Sequence, residues 1–268
     1  MEHKTFSTPD GLIHYWVSSA GPKQPWLVLL PGLTADHRLF ERQLEAFEGH
    51  FSLLVWDAPA HGLSRPFALR FSMHDLAAWL HGIIAAEGVE APFFIGQSLG
   101  GYIAQAYISC WPEGVRGFVS IDSAPLSRQY YTNWELALLH HAEGMYRAIP
   151  WQPLLKWGIT GTAATPYGRR LIKTIWADYE RTEFCALAGH GYRMLAQAVE
   201  AQPAYALPCP VLLLCGKKDE AGSVKRYNRA WVKREGHRLV WIEGAGHNSN
   251  TDAPARVNAL IEDFVRRH

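Results

Sequence analysis

The stretch that decides the fold is Phe93-Phe94-Ile95-Gly96-Gln97-Ser98-Leu99-Gly100-Gly101. Its apolar run is typical of a buried strand and a helical pattern begins at Leu99, so the stretch predicts a strand, a sharp turn and a helix. Gly-x-Ser-x-Gly in that context is the pattern of a nucleophile elbow, whose tight turn lifts a serine hydroxyl clear of the backbone. The other interpretation is a glycine-rich turn whose serine has no chemical role. The flanking strand and helix favour Ser98 as a nucleophile.

Short apolar runs alternate with helical patterns on either side of this stretch. The predicted strands are residues 12–17, 26–30, 51–56, 92–96, 115–121, 211–215 and 238–242. Helices are predicted at about 37–48, after a capping box at Ser72 and Asp75, and at about 99–110, 224–234 and 253–267. Strands separated by helices indicate a mostly parallel central sheet flanked by helices, so the predicted class is α/β.

The alternation breaks between residues 123 and 205, where helical patterns follow one another without good strands between them. We therefore predict a core formed by residues 1–122 and 206–268, with residues 123–205 inserted as a helical lid. The insertion carries 12 aromatic side chains. Most of them are expected to pack small helices onto the core, and a few should line the cavity that the lid covers.

Composition excludes several classes of function. The 268 residues carry 26 basic and 25 acidic side chains, a net charge of +1, whereas binding to nucleic acid or to anionic membranes needs a basic surplus. No apolar run reaches the roughly 20 residues of a spanning helix, and the N-terminus lacks the apolar segment of a secretory signal, so we expect a cytoplasmic protein. The four cysteines have no zinc-site spacing and are expected to be reduced thiols, with no bound metal.

A serine nucleophile needs a base, because its hydroxyl is inert at neutral pH. Of the 13 histidines, only His247 lies between the last predicted strand and the last helix, in a Gly-Ala-Gly-His loop. It follows Ser98 in the chain, as the order Ser…Asp…His requires. An imidazole titrates near pH 6.5 and can take and return a proton near neutrality. The alternative is a loop histidine that only caps a backbone group.

The third group should be a carboxylate that orients His247 and stabilises its charged form. Asp219 follows the predicted strand 211–215 and lies between serine and histidine in the chain. Asp122, at the end of strand 115–121, is the competitor. Asp252 lies close to His247 in sequence, but we expect it to open the last helix, a role that Asn250 or Thr251 could also fill. The position after the strand favours Asp219.

Stabilising the oxyanion requires two backbone N–H groups near Ser98. One is that of Leu99, directly after the nucleophile. The other should come from the loop after strand 26–30, where Leu33 is the candidate and Gly32 lets the backbone turn toward the site. The alternative for this loop is an ordinary Pro-Gly turn.

These motifs together resemble those of α/β-hydrolases, in particular the lid-bearing group that includes epoxide hydrolases and esterases. The resemblance covers essentially the whole chain. It includes Pro31-Gly32, Asp-Ala-Pro-Ala-His-Gly-Leu-Ser at 57–64, the elbow, the Asp219 loop and the Gly-Ala-Gly-His247 loop.

Two positions depart from the pattern of this family. Pro31 stands where members commonly have histidine, and Ala60 replaces a loop glycine. We interpret Asp57 and His61 as residues that order a loop beside the site, without a catalytic role.

The resemblance implies an α/β-hydrolase fold, and the serine narrows the chemistry. Epoxide hydrolases and dehalogenases of this family attack with aspartate, so Ser98 favours acyl transfer on a small or medium, largely apolar carboxylic ester. The same residues would serve a lactone, thioester, amide or carbon–carbon bond hydrolase, because the pocket decides the substrate. A ligand-binding receptor without turnover is the alternative from a different class. No metal or organic cofactor is expected, the partner is a small-molecule substrate, and the oligomeric state is left open.

Overall fold

The computed structural model describes residues 1–201 and 207–268. The strands in those residues are β1 (Glu2–Thr8), β2 (Gly11–Ser18), β3 (Trp26–Leu30), β4 (Ser52–Trp56), β5 (Phe93–Gln97), β6 (Gly117–Ile121), β7 (Val211–Gly216) and β8 (Arg238–Ile242). They form one eight-stranded sheet in the order β1-β2-β4-β3-β5-β6-β7-β8. The pairs β1–β2 and β2–β4 are antiparallel, and the others are parallel. The predicted α/β class and mostly parallel sheet are confirmed.

Helices cover both faces of this sheet. They are α1 (Glu41–Phe47), α2 (Met73–Ala86), α3 (Leu99–Cys110), α4 (Asn133–His140), α5 (Ala142–Ala148), α6 (Trp151–Thr162), α7 (Pro166–Trp176), α8 (Arg181–Ala201), α9 (Val224–Glu235), α10 (Ser249–Asp252) and α11 (Pro254–Arg267). The predicted capping box is present, because the Ser72 side chain accepts from Asp75 N and Asp75 accepts from Ser72 N. In the part of the chain that the structure describes, no helix is both long and apolar enough to cross a membrane.

The alternation of strand side chains divides the core into two layers. Val28 of β3 packs in one cluster with Leu80 of α2 and Ile103 of α3. Its neighbour Leu27 points to the other face and packs in a second cluster with Ile261 of α11. A strand buried on both faces must be apolar at every position, which explains the uninterrupted apolar runs of the sequence.

The first strand was not predicted, because β1 shows no apolar run. Its residues alternate between exposed and half-buried positions. The strand lies at the edge of the sheet and pairs only with β2, from Glu2 opposite Val17 to Thr8 opposite Gly11. A polar edge strand is common in natural sheets, where it discourages pairing with other chains.

In the described residues between β6 and β7 there are five α-helices, α4 to α8. Helix α8 packs against α4 and α5, and α6 packs against α7. The boundary that we predicted at residues 205 and 206 falls outside the described residues, so the division into core and lid stays a prediction.

Candidate active site

Ser98 occupies the sharp turn between β5 and α3. Its φ of +48° lies in the left-handed region, which a serine adopts only when the surrounding structure imposes it. The close packing of α3 does so here: a Cβ on Gly100 would lie 1.8 Å from the carbonyl oxygen of Leu30. Ser98 N also donates to Ile121 O at 2.9 Å, and the Ser123 hydroxyl donates to Ser98 O at 2.7 Å. The turn therefore has the strained geometry that exposes a serine side chain.

The structure brings Ser98, His247 and Asp219 together. His247 Nε2 lies 2.9 Å from Ser98 Oγ, and His247 Nδ1 lies 3.0 Å from Asp219 Oδ2. An ionised carboxylate only accepts hydrogen bonds, so Nδ1 is the donor and the neutral ring offers Nε2 as acceptor to the serine hydroxyl. This is the arrangement in which a base can take the proton of a serine nucleophile.

The electrostatics of His247 suit proton transfer. Burial disfavours the imidazolium, but the Asp219 carboxylate, with a smaller contribution from Asp122, outweighs burial and raises the pKa of His247 above its ordinary 6.5. Asp219 is itself only 1% exposed. Its second oxygen accepts from Ala221 N at 2.8 Å, which fixes the carboxylate in the loop after β7.

Asp122 lies at the carboxyl end of β6 and is fully buried. It accepts from Gly216 N at 2.7 Å, from Ser249 N at 2.7 Å and from the Ser249 hydroxyl at 2.9 Å. Among the described contacts, no hydrogen bond joins it to His247. Burial, together with the nearby Asp219 carboxylate, raises the pKa of Asp122. Its bonds tie the end of β7 to the loop that follows His247.

The prediction that Asp252 opens the last helix is wrong. The residue before α11 is Ala253, and no side chain caps that helix. Asp252 instead accepts from Gly246 N at 2.8 Å, from Ala164 N at 2.8 Å, and from Thr165 N and its hydroxyl at 2.9 and 2.7 Å. It therefore joins the residue before His247 to the connection between α6 and α7.

The alternative prediction, that Asn250 or Thr251 caps the start of the last helix, is wrong for the same reason. The amide of Asn250 donates to Leu39 O at 2.8 Å. The Thr251 hydroxyl donates to Asn248 O at 3.0 Å. Both side chains donate to buried backbone carbonyls. Pro254, the first residue of α11, has no backbone N–H that would need a capping acceptor.

The backbone of His247 is held on both sides. Gln97, next to the nucleophile, donates to His247 O at 2.8 Å and to Asn248 Oδ1 at 3.0 Å. Asn248 N donates to Thr162 O at 2.9 Å. Sequence reasoning missed Gln97, Asn248 and Asp252, because their contacts join residues far apart in the chain.

The two candidate oxyanion donors, Leu33 and Leu99, line the larger cavity beside the nucleophile together with Ser98. Leu99 is the first residue of α3, and the first N–H groups of a helix have no acceptor within it. Leu33 lies in the loop after β3 and lines the same cavities as Ser98. The loop after β3 lies close to the end of β5, because a Cβ on Gly32 would lie 2.2 Å from Gln97 Oε1. The oxyanion roles of Leu33 and Leu99 stay predictions.

Asp57 and His61 order the loop after β4. Asp57 is buried and accepts from His37 N at 2.8 Å and from Leu63 N at 2.7 Å. His61 hydrogen-bonds through Nδ1 to Pro59 O at 2.9 Å. Ala60 adopts a φ of +67°, which explains why a glycine suits this position in the motif.

Two cavities meet at Ser98 and His247, which line both of them. Their volumes are about 150 and about 300 Å³. The walls are largely apolar and aromatic. The smaller cavity is lined by residues that include Tyr146, Leu154, Ile172, Trp176, Phe184 and Tyr192. The larger is lined by residues that include Leu99, Tyr102, Tyr131, Leu138, Tyr192 and Tyr227.

The comparisons with known proteins agree with this architecture. The model of the alpha/beta hydrolase family matches residues 27–260. The chain belongs to the alpha/beta hydrolase family. Its curated relatives include the pimeloyl-(acyl-carrier protein) methyl ester esterase of Yersinia enterocolitica, 23% identical over 94% of this chain and 97% of the relative. They also include the 2-succinyl-6-hydroxy-2,4-cyclohexadiene-1-carboxylate synthase of Serratia proteamaculans, 25% identical over 90% of this chain and 93% of the relative.

A comparison with solved structures gives the same fold. A thermophilic esterase from Thermogutta terrifontis superimposes with a TM-score of 0.76 at 21% identity, covering 100% of this chain and 99% of the other. At that identity the likeness establishes the fold alone. This alpha/beta hydrolase therefore has esterase-type relatives, and its own substrate must be argued from its site.

Proposed function

We propose that this alpha/beta hydrolase is a serine esterase that cleaves small or medium, largely apolar carboxylic esters through an acyl-enzyme. The observation that carries the proposal is the chain of hydrogen bonds from Ser98 Oγ through His247 to Asp219, at the point where both cavities meet. A nucleophile, a base and an acid that orients the base are the side chains with which a Ser-His-Asp hydrolase performs acyl transfer.

In the proposed mechanism, Ser98 Oγ attacks the ester carbonyl while His247 Nε2 takes the serine proton. The N–H groups of Leu33 and Leu99 receive the oxyanion. His247 then gives its proton to the leaving alcohol, which departs and leaves an acyl-serine. Water enters, loses a proton to His247 and attacks the acyl group, and the proton returns to Ser98 as the acid leaves. Asp219 stabilises the imidazolium in each half of the cycle.

The cavity walls support an apolar substrate. Side chains from helices α4 to α8 form much of both cavities, among them Leu138, Tyr146, Leu154, Trp176 and Tyr192. We therefore propose that residues 123–205 act as the lid, which covers the nucleophile and excludes bulk water. The named activity of the Yersinia enterocolitica relative, a methyl ester esterase, is consistent with ester cleavage here.

A substrate panel tests the proposal. Purified protein is assayed with p-nitrophenyl acetate and butyrate, a γ-lactone and an acyl thioester, with Ser98→Ala as the blank. We expect Ser98-dependent turnover that is highest on the esters. Turnover that is highest on the lactone or thioester would reassign the bond. Folded wild-type protein without turnover on any of them would favour a carbon–carbon bond hydrolase or a receptor.

A further inference from the structure

The larger cavity contains a pair of tyrosines whose hydroxyls are bonded to each other. Tyr102 and Tyr131 both line this cavity, and their hydroxyl oxygens lie 3.0 Å apart. Both residues are more than nine-tenths buried, with 7% and 6% of their surface exposed. Buried hydroxyls are normally satisfied, so the remaining hydrogen-bonding capacity of the pair needs an explanation.

The pair has a donor to spare. Two phenols carry two O–H groups, and their mutual bond uses one of them. In the described residues, neither hydroxyl has another hydrogen-bond partner. Burial raises the pKa of both phenols, so they stay neutral donors rather than becoming phenolates. One O–H at the cavity wall is thus available to a ligand.

Glu135, the carboxylate among the side chains that line this cavity, already has partners. Glu135 forms an ion pair with Arg226, accepts from the Ser223 hydroxyl at 2.9 Å and accepts from Thr132 N at 3.0 Å. Burial opposes ionisation, but the Thr132 N–H, the Tyr227 hydroxyl and Arg226 outweigh burial and lower the pKa of Glu135 to about 2. Glu135 is therefore not a partner for a cationic substrate. Tyrosine hydroxyls, among them those of the Tyr102–Tyr131 pair, are the side-chain donors that remain at the wall of this cavity.

We propose that the larger cavity binds a neutral, apolar portion of the substrate that bears one hydrogen-bond acceptor, such as an ether, carbonyl or hydroxyl oxygen, and that the Tyr102–Tyr131 pair donates to it. This rests on the proposed esterase function. Tyr102 follows Ser98 by four residues on α3, which is about 6 Å along a helix axis. The acceptor should therefore lie a few bonds from the scissile carbonyl, close enough to orient it.

Matched esters test this inference. The acyl side is probed with p-nitrophenyl 3-methoxypropanoate against p-nitrophenyl pentanoate, and the alcohol side with 2-methoxyethyl acetate against butyl acetate. Within each pair one oxygen replaces one CH₂. The measured quantity is kcat/KM of the methoxy ester divided by kcat/KM of its alkyl analogue. This ratio is determined for wild type and for the double variant Tyr102→Phe/Tyr131→Phe.

We expect the double variant to lower this ratio by about fivefold to tenfold, the value of one hydrogen bond. The ratio should fall for only one of the two pairs, which also shows which side of the ester enters the larger cavity. The control is Tyr130→Phe, because Tyr130 neighbours the pair but its hydroxyl binds Glu235 instead. That variant should leave both ratios unchanged.

A purely structural role for the tyrosines gives a different result. In that case the double variant lowers kcat/KM for both members of a pair equally, the ratio stays at the wild-type value, and the inference is overturned. Failure of the proposed esterase function gives a third result: wild-type protein would show no Ser98-dependent turnover on any of the four esters.

Discussion

Asp122 and Asp219 follow neighbouring parallel strands, and both are buried at the same edge of the sheet. Their carboxylates nevertheless have different tasks. Asp219 accepts a hydrogen bond from His247 Nδ1 through one oxygen. Both oxygens of Asp122 instead accept from the backbone N–H groups of Gly216 and Ser249 and from the Ser249 hydroxyl. A position after a strand therefore does not by itself identify the acid that we propose for the triad. The donor that faces the carboxylate decides its role.

Of the differences that we expect between Asp219 and Asp122, the largest concerns kcat. Asp219→Asn should lower kcat by about 10⁴-fold, because an amide can no longer hold the imidazole in the productive tautomer or stabilise its charge. Asp122→Asn should keep kcat within about tenfold, because Asp122 makes no hydrogen bond to the histidine. Steady-state kinetics on one p-nitrophenyl ester measure both variants. A larger loss in Asp122→Asn would reverse the assignment.

The histidine loop should be sensitive to Asp252. Asp252→Ala removes the carboxylate that joins Gly246 to Ala164 and Thr165, so His247 should lose its alignment with Ser98. We expect kcat to fall by about tenfold to a hundredfold, since a shift of about 1 Å can cost that much. Asp263→Ala is the control, because Asp263 forms an exposed ion pair on α11. Equal kinetics in both variants would show that the loop aligns without Asp252.

The structural task of Asp122 predicts a loss of stability. In Asp122→Asn an amide NH₂ replaces an oxygen that now accepts from buried donors, so at least one donor is left without a partner. The free energy of unfolding should fall by about 1–3 kcal/mol, measured by urea denaturation with fluorescence detection. An unchanged midpoint would mean that the contacts of Asp122 with Gly216 and Ser249 contribute nothing measurable.

The smallest predicted effect is a displacement of the pH profile. His247 must be neutral to take the serine proton, so kcat/KM should rise with pH as the imidazolium is deprotonated. Because Asp219 raises the pKa of His247, this rise should be centred above pH 6.5 in wild type. In Asp219→Asn the residual activity should rise at lower pH. A profile with the same midpoint in both proteins would contradict the electrostatic role of Asp219.

Local chemistry made much of the fold and site predictable. The nucleophile elbow was predictable because its glycines, strand and helix are neighbours in sequence. The apolar runs predicted seven of the eight strands found in the described residues. Edge strand β1 escaped because its half-exposed residues show no apolar run. Asp252 was misread because its partners at 164 and 165 lie 88 and 87 residues away. The aromatics of the pocket could not be selected in advance, and Tyr102 lies on α3, outside the insertion.

The central claim is that His247 activates Ser98 for attack on an acyl carbon. Incubation with a fluorophosphonate, followed by intact-mass analysis and peptide mapping, measures this directly. We expect one adduct per wild-type chain, located on Ser98, strongly slowed labelling in His247→Ala, and none in Ser98→Ala. An adduct on another residue, or labelling that persists in Ser98→Ala, would contradict it.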